Sequence, residues 1–117
     1  MAGALPALAA GLVPSEPADV TFVDAEGVVR YFSEYRIFGR PMSCLDRDVL
    51  LCHREVSRPG IERMLAEFRD GWRNEADFLS RKSGRNVDVR YLAVRDAHGC
   101  YLGCLEIAQW AGASAAE

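Results

Sequence analysis

Residues 19–38 read Asp-Val-Thr-Phe-Val-Asp-Ala-Glu-Gly-Val-Val-Arg-Tyr-Phe-Ser-Glu-Tyr-Arg-Ile-Phe, and this stretch decides the fold. An apolar-rich run, Val20 to Val23, ends in Asp24-Ala-Glu-Gly27, and a second run, Val28 to Phe32, starts at once. Two such runs joined by a short loop closing on glycine make a β-hairpin, because glycine takes a positive φ without steric cost. The device recurs near the other end. Val87 to Arg95 is followed by Asp96-Ala-His-Gly99 and then by Cys100 to Trp110.

Between the hairpins the pattern changes. Residues 33–58 hold no sustained period, and Gly39, Pro41 and Pro59 punctuate them, which predicts one-turn helices joined by loops. Next, Ile61, Met64, Leu65, Phe68 and Trp72 fall at i, i+3, i+4, i+7 and i+11, the stripe of an amphipathic helix. Glu62, Arg63, Glu67, Arg69 and Asp70 take its other face, Pro59 suits the first turn and Gly71 is placed to end it. A further strand is expected over Glu75 to Arg81, with Ala76, Phe78 and Ser80 on one face and a turn at Ser83-Gly84. Val87, Val89, Tyr91 and Ala93 share a face of the next strand. Tyr101, Leu105 and Ile107 are grouped on the last. Both final strands are apolar on much of both faces, as central strands are. The order is two strands, short helices, one longer helix and three strands, which is an α+β domain with helices on one face of an antiparallel sheet.

The bulk numbers bound the function. At 117 residues there is room for one core. Half the residues are hydrophobic and 26% are charged, a globular composition. A net charge of −3 gives no reason to expect nucleic acid as a partner. No apolar run approaches the roughly 18 residues of a membrane span, and the Ala-rich start lacks a cationic segment and is interrupted by Pro6, which argues against a secretory leader. A cytoplasmic location is the expectation. There Cys44, Cys52, Cys100 and Cys104 are free thiols.

Several short segments together carry a family resemblance. They are Asp19-Val-Thr-Phe-Val-Asp24, Gly27-Val-Val-Arg-Tyr-Phe32, Arg36-Ile-Phe38, Gly39-Arg40, Cys52-His53 and Val89-Arg-Tyr91, completed by Arg95-Asp96, Gly99, Tyr101-Leu-Gly103 and Leu105-Glu106. As a set they resemble the PAS domain, and most of all the PAS module of bacterial proteins of unassigned function, often joined to hemerythrin-like domains. The resemblance implies a five-stranded antiparallel sheet with short helices and one longer helix on one face. It divides the chain into an extension over 1–18, a PAS domain over 19–110 and a tail over 111–117. Leu5, Leu8, Leu12 and Val13 would make one apolar face of a short helix there, which the resemblance assigns to dimerisation; the alternative is a frayed tail. After His53 the pattern departs, since similar proteins continue with prolines and a lysine where this chain has Arg54-Glu-Val-Ser57. The Asn-Cys-Arg-Phe-Leu segment of flavin-binding photosensory members is absent.

The resemblance implies a sensory or signal-transduction module that binds a small ligand in a cleft between helices and sheet, or mediates homodimerisation, or both, with its output in trans on a signalling partner protein. Candidate cleft residues are Arg36, Phe38, Arg40, Cys52, His53, Met64, Phe68 and Tyr91. His53 carries two readings: a ring hydrogen-bonded to backbone at the end of a short helix, or an axial ligand to haem iron in a gas or redox sensor. Arg36 and Arg40 lie among Tyr31, Phe32, Tyr35 and Phe38, either packed over them or meeting a carboxylate such as a haem propionate. Cysteine and histidine spacings do not suit structural zinc. Cys100 and Cys104, about 13 Å apart along a strand, cannot bridge each other. No nucleophile elbow, phosphate loop or zincin helix occurs. Glu106 and Asp88 read as ordinary strand charges, so an enzyme is not expected. A small ligand-modifying enzyme on a cone-like α+β fold would need an acid–base group inside the cavity.

Overall fold

The computed structural model describes residues 17–39 and 41–111, so the proposed dimerisation helix, Arg40 and residues 112–117 of the C-terminal tail lie outside the described residues. Five strands form one antiparallel sheet in the order β2-β1-β5-β4-β3. They are β1 (Asp19–Asp24), β2 (Val29–Phe32), β3 (Glu75–Lys82), β4 (Arg85–Arg95) and β5 (Tyr101–Trp110). Between β2 and β3 run three 3-10 turns, Met42–Cys44, Val49–Cys52 and Glu55–Ser57, and then helix α1 (Arg58–Asp70). The predicted architecture is present, with β5 at the centre of the sheet.

The two Asp-Ala-X-Gly loops are built alike. Asp24 Oδ1 accepts from the N–H groups of Glu26 and Val28 at 2.9 and 3.0 Å, and Asp96 Oδ1 accepts from those of His98 and Cys100 at 2.8 and 3.0 Å. Gly27 and Gly99 both sit at φ 84°. A short acceptor at the first position and a residue at positive φ at the fourth are what a three-residue hairpin loop requires. The first hairpin is also fastened from below. Val29 N–H donates to Arg47 O at 2.9 Å and Val49 N–H to Gly27 O at 2.8 Å. Val28 O accepts from Asp24 N–H at 2.9 Å and Val28 forms an isolated bridge with Asp48, and β2 begins one residue later than the apolar run suggests.

Arg30 adds charge to this loop, reaching Asp24 at 2.8 Å and Asp46 at 2.9 Å. Burial alone would raise the Asp24 carboxyl. The Val28 and Glu26 N–H groups and the Arg30 guanidinium outweigh it and hold it below its ordinary 3.8. The folded chain therefore releases this proton more readily than the unfolded chain. The stabilisation is present above pH 3.8 and is lost as pH falls through the lower folded value. Asp24→Asn is expected to be less stable at neutral pH and to show a shallower loss of stability below about pH 4; equal acid slopes in urea titrations of the two proteins would contradict this.

Helix α1 buries Met64 and Phe68, at 1% and 0% exposure, against Val87, Val89, Tyr91, Cys104 and Ala108 of the inner sheet face. Gly71, at φ 83°, turns the chain out of the helix, with Gly71 N–H bonded to Phe68 O and Trp72 N–H to Glu67 O. This left-handed cap satisfies end carbonyls. It also removes Trp72 from the apolar stripe and leaves it 82% exposed. Arg95 of β4 donates to Phe68 O and to Asn74 Oδ1, placing a cation at the helix C-terminus where the peptide dipoles favour one.

The last strand differs from its sequence reading. Its buried inner positions are Cys104, Glu106 and Ala108, and Leu105 and Ile107 lie on the opposite face with Phe22, Val20 and Leu92. Tyr101 does not stay with Leu105 and Ile107; it packs against the core cluster. The cause is the register shift at Val94/Arg95, where Val94 pairs with Gly103 but Arg95 pairs with Tyr101.

Candidate functional site

A cleft of about 740 Å³ opens between the 3-10 turns with the start of α1 and the inner face of β3, β4 and β5. Its apolar wall is Phe38, Ile61, Phe78, Val89 and Tyr91, and its polar lining includes His53, Glu106, Arg54 and Arg63. Phe78 and Tyr91 meet edge to face, ring centres 5.7 Å apart, and give the wall a rigid corner. An apolar concavity with a few convergent polar groups is the usual form of a small-molecule site.

His53 is held from several sides. It follows the turn Val49–Cys52, its backbone N–H reaches Leu50 O, and its carbonyl accepts from Arg58 Nε at 3.1 Å. Its ring Nδ1 lies 3.1 Å from Val49 O. A carbonyl can only accept, so Nδ1 carries a proton, and in the neutral form of the ring Nε2 presents a lone pair. That Nε2 is buried, with less than 1 Å² accessible, and has no hydrogen-bond partner. Buried polar atoms are rarely left so. An N–H fixed on a backbone carbonyl with the other nitrogen free is also how metal-binding imidazoles are oriented. The donor chemistry of His53 thus fits haem iron, which Nε2 would hold once that covered atom is exposed.

Four of the residues expected in the cleft do line it: Phe38, Cys52, His53 and Tyr91. Met64 and Phe68 do not. Being almost wholly enclosed by the sheet, they belong to the core beneath and offer no surface to a ligand. Arg36 is turned elsewhere, its guanidinium 4.1 Å from the Phe32 ring centre and its Nε bonded to Ser33 O at 3.2 Å. The cation–aromatic packing of that arginine explains its position without a ligand. The cationic lining comes instead from Arg54, Arg63, Arg73 and Arg81.

Two carboxylates have roles that the sequence reading does not assign. Glu106 is 5% exposed and lines the cleft from the central strand, whereas a solvated strand charge was expected. Its period-two neighbours Cys104 and Ala108 are small, which leaves room for it inside; that was the available signal. Asp19, 3% exposed, accepts the N–H groups of Ile37 and Phe38 on Oδ2 at 2.9 and 3.1 Å and so fixes the aromatic lip of the cleft. Of the thiols, all four of which are unbridged, Cys104 is pushed up to about 12 by burial and then by the nearby Glu106 carboxylate, so it stays protonated. Cys52 Sγ lies 3.9 Å from Cys44 O. Among the described residues no three metal-ligating side chains gather, and no helix is long and apolar enough to cross a membrane.

A family model described as a PAS domain matches residues 11–109. No curated protein matches the chain. Among solved structures, a C-terminal domain from Streptococcus mutans is 29% identical, with a TM-score of 0.74 over 80% of this chain and 75% of that one. A sensory box sensor histidine kinase from Vibrio cholerae is 10% identical, with a TM-score of 0.63 over 94% of this chain and 90% of that one. The PAS domain of a protein from Colwellia psychrerythraea is 13% identical, with a TM-score of 0.63 over 95% and 98% of the two chains.

Proposed function

The chain belongs to the PAS domain family, and on that premise we propose that it is a sensory signal-transduction module whose signal is a small molecule bound in the helix–sheet cleft. The observation that carries this reading is His53 Nε2, a buried ring nitrogen without a hydrogen-bond partner among the described residues, in the lining of the cleft. A ligand that satisfies it binds one packing of the 3-10 turns better than another and shifts the population toward that packing. The change would pass to the outer sheet face, where Val20, Phe22, Leu92, Val94, Leu105 and Ile107 are all partly exposed. A homodimer joined over that face, acting on a signalling partner in the cytoplasm without catalysis of its own, completes the reading. A place among the modules joined to hemerythrin-like domains is part of the same proposal. Structures of similar fold include the sensory box kinase named above, which supports a sensory role.

Native mass spectrometry of the purified protein tests the cleft. A bound small molecule retained by the wild type and lost in His53→Ala is the expected result. A wild type that carries nothing, and gains no thermal stability from metabolite fractions, would contradict it.

A second reading draws on the same atom. With haem bound, His53 Nε2 would hold the iron, and the group would supply gas binding or a redox change. A Soret band on addition of haem that is altered in His53→Ala supports it; no band, or one unchanged by the substitution, removes it.

A further inference from the structure

The cleft selects charge as well as shape. The whole chain carries −3, so an arbitrary surface hollow would be lined by as many carboxylates as guanidinium groups. Here the lining holds Arg54, Arg63, Arg73 and Arg81 against a single carboxylate, that of Glu106, and Arg81 is taken up by Asn86 Oδ1 and Gly84 O. Arg73 is answered by Glu67 at 2.8 Å. Arg54 and Arg63 make no ion pair among the described residues, and both are exposed, as groups at the mouth of a cleft must be to meet a ligand from solvent. Behind them the wall is Phe38, Ile61, Val89 and Tyr91, and the buried polar atom that lacks a partner, His53 Nε2, is an acceptor.

We propose that the cleft takes an amphipathic organic anion: a carboxylate or phosphate ester met by Arg54 and Arg63, an apolar or aromatic body against Phe38 and Tyr91, and an inner N–H or O–H that donates to His53 Nε2. This rests on the cleft being a ligand site. Guanidinium groups pair with planar oxyanions through two parallel hydrogen bonds, which a neutral or cationic ligand cannot accept. The apolar wall makes the body the main source of binding energy, and the arginines fix its orientation and sign. A small inorganic anion meets only the mouth and leaves the wall empty.

Three probes with one body separate the elements of this proposal: 4-phenylbutanoate, 4-phenylbutan-1-ol and 4-phenylbutan-1-amine, each titrated against the full chain while amide resonances are followed. The acid is expected to shift the amides of Phe38, His53 and Tyr91 and to bind about tenfold more tightly than the alcohol, with the amine weakest. Raising the salt concentration should narrow the gap between acid and alcohol. In the double variant Arg54→Gln, Arg63→Gln, whose positions are exposed, the melting temperature should hold and the preference for the acid should vanish. Equal or tighter binding of the alcohol or amine at those amides overturns the anion assignment and leaves the cleft as a ligand site. Failure of all three probes to move those amides overturns the assignment and counts against the cleft itself.

Discussion

Gly103→Ala is expected to cost about 3 kcal/mol or more and to lower the melting temperature by roughly 10–20 °C, the largest effect of an added methyl group at any described glycine. Gly103 lies in β5 at φ 153°, and a Cβ there would stand 2.3 Å from Val23 O and 2.6 Å from Phe22 Cζ. The aromatic ring can move. The carbonyl belongs to β1, which is paired along its whole length with β5 from Asp19↔Ala108 to Asp24↔Gly103, so relief requires the two central strands to part. Gly99, in the loop before the same strand, is the internal control. It has φ 84°, but a Cβ at that position would meet nothing within 4 Å, so Gly99→Ala should cost only about 1 kcal/mol for its backbone conformation. Similar urea midpoints for the two variants would show that the close approach of Gly103 to Val23 is not a constraint on the sheet.

Asp19→Ala is expected to cost about 2–4 kcal/mol, because it leaves one buried and one partly buried N–H group without acceptors. Those are the Ile37 and Phe38 amides, 18 and 19 residues away in sequence and held by Oδ2 of this carboxylate. Asp19→Asn keeps an acceptor oxygen and should recover part of the loss. The effect reaches the cleft as well as the core. Ile37 belongs to the core cluster and Phe38 lines the cleft, so freeing both amides loosens the lip on which a ligand would lean. Amide hydrogen exchange separates the two effects: exchange at Ile37 and Phe38 should rise by about a hundredfold in Asp19→Ala at temperatures where α1 remains protected. Unchanged protection at those two amides would contradict the role given to Asp19.

The frame was legible because its signals are local. An aspartate and a glycine three apart fix each hairpin loop, and the stripe from Ile61 to Phe68 fixes the helix that covers the sheet. The cleft was less legible because its chemistry depends on which face a strand presents. Leu105 and Ile107 look like core residues, yet the inner positions are Cys104, Glu106 and Ala108, since small side chains are needed where the helix and a carboxylate approach. Met64 and Phe68 lie on the helix face that meets the sheet, and the period alone could not say that they are sealed away from the cleft. The long-range bonds of Asp19 and the stacking of Arg36 over Phe32 have no counterpart in spacing at all.

The central claim is that His53 Nε2 awaits a hydrogen-bond donor from a small molecule in the cleft. The measurement that bears on it most directly is the imidazole nitrogen NMR spectrum of His53, recorded on protein purified from the cells that naturally make it. A second spectrum follows after bound molecules have been stripped by unfolding and refolding. The expected result is a change confined to the Nε2 resonance, with Nδ1 remaining protonated on the Val49 carbonyl in both samples. Identical spectra before and after stripping, with Nε2 unperturbed in each, would contradict the account.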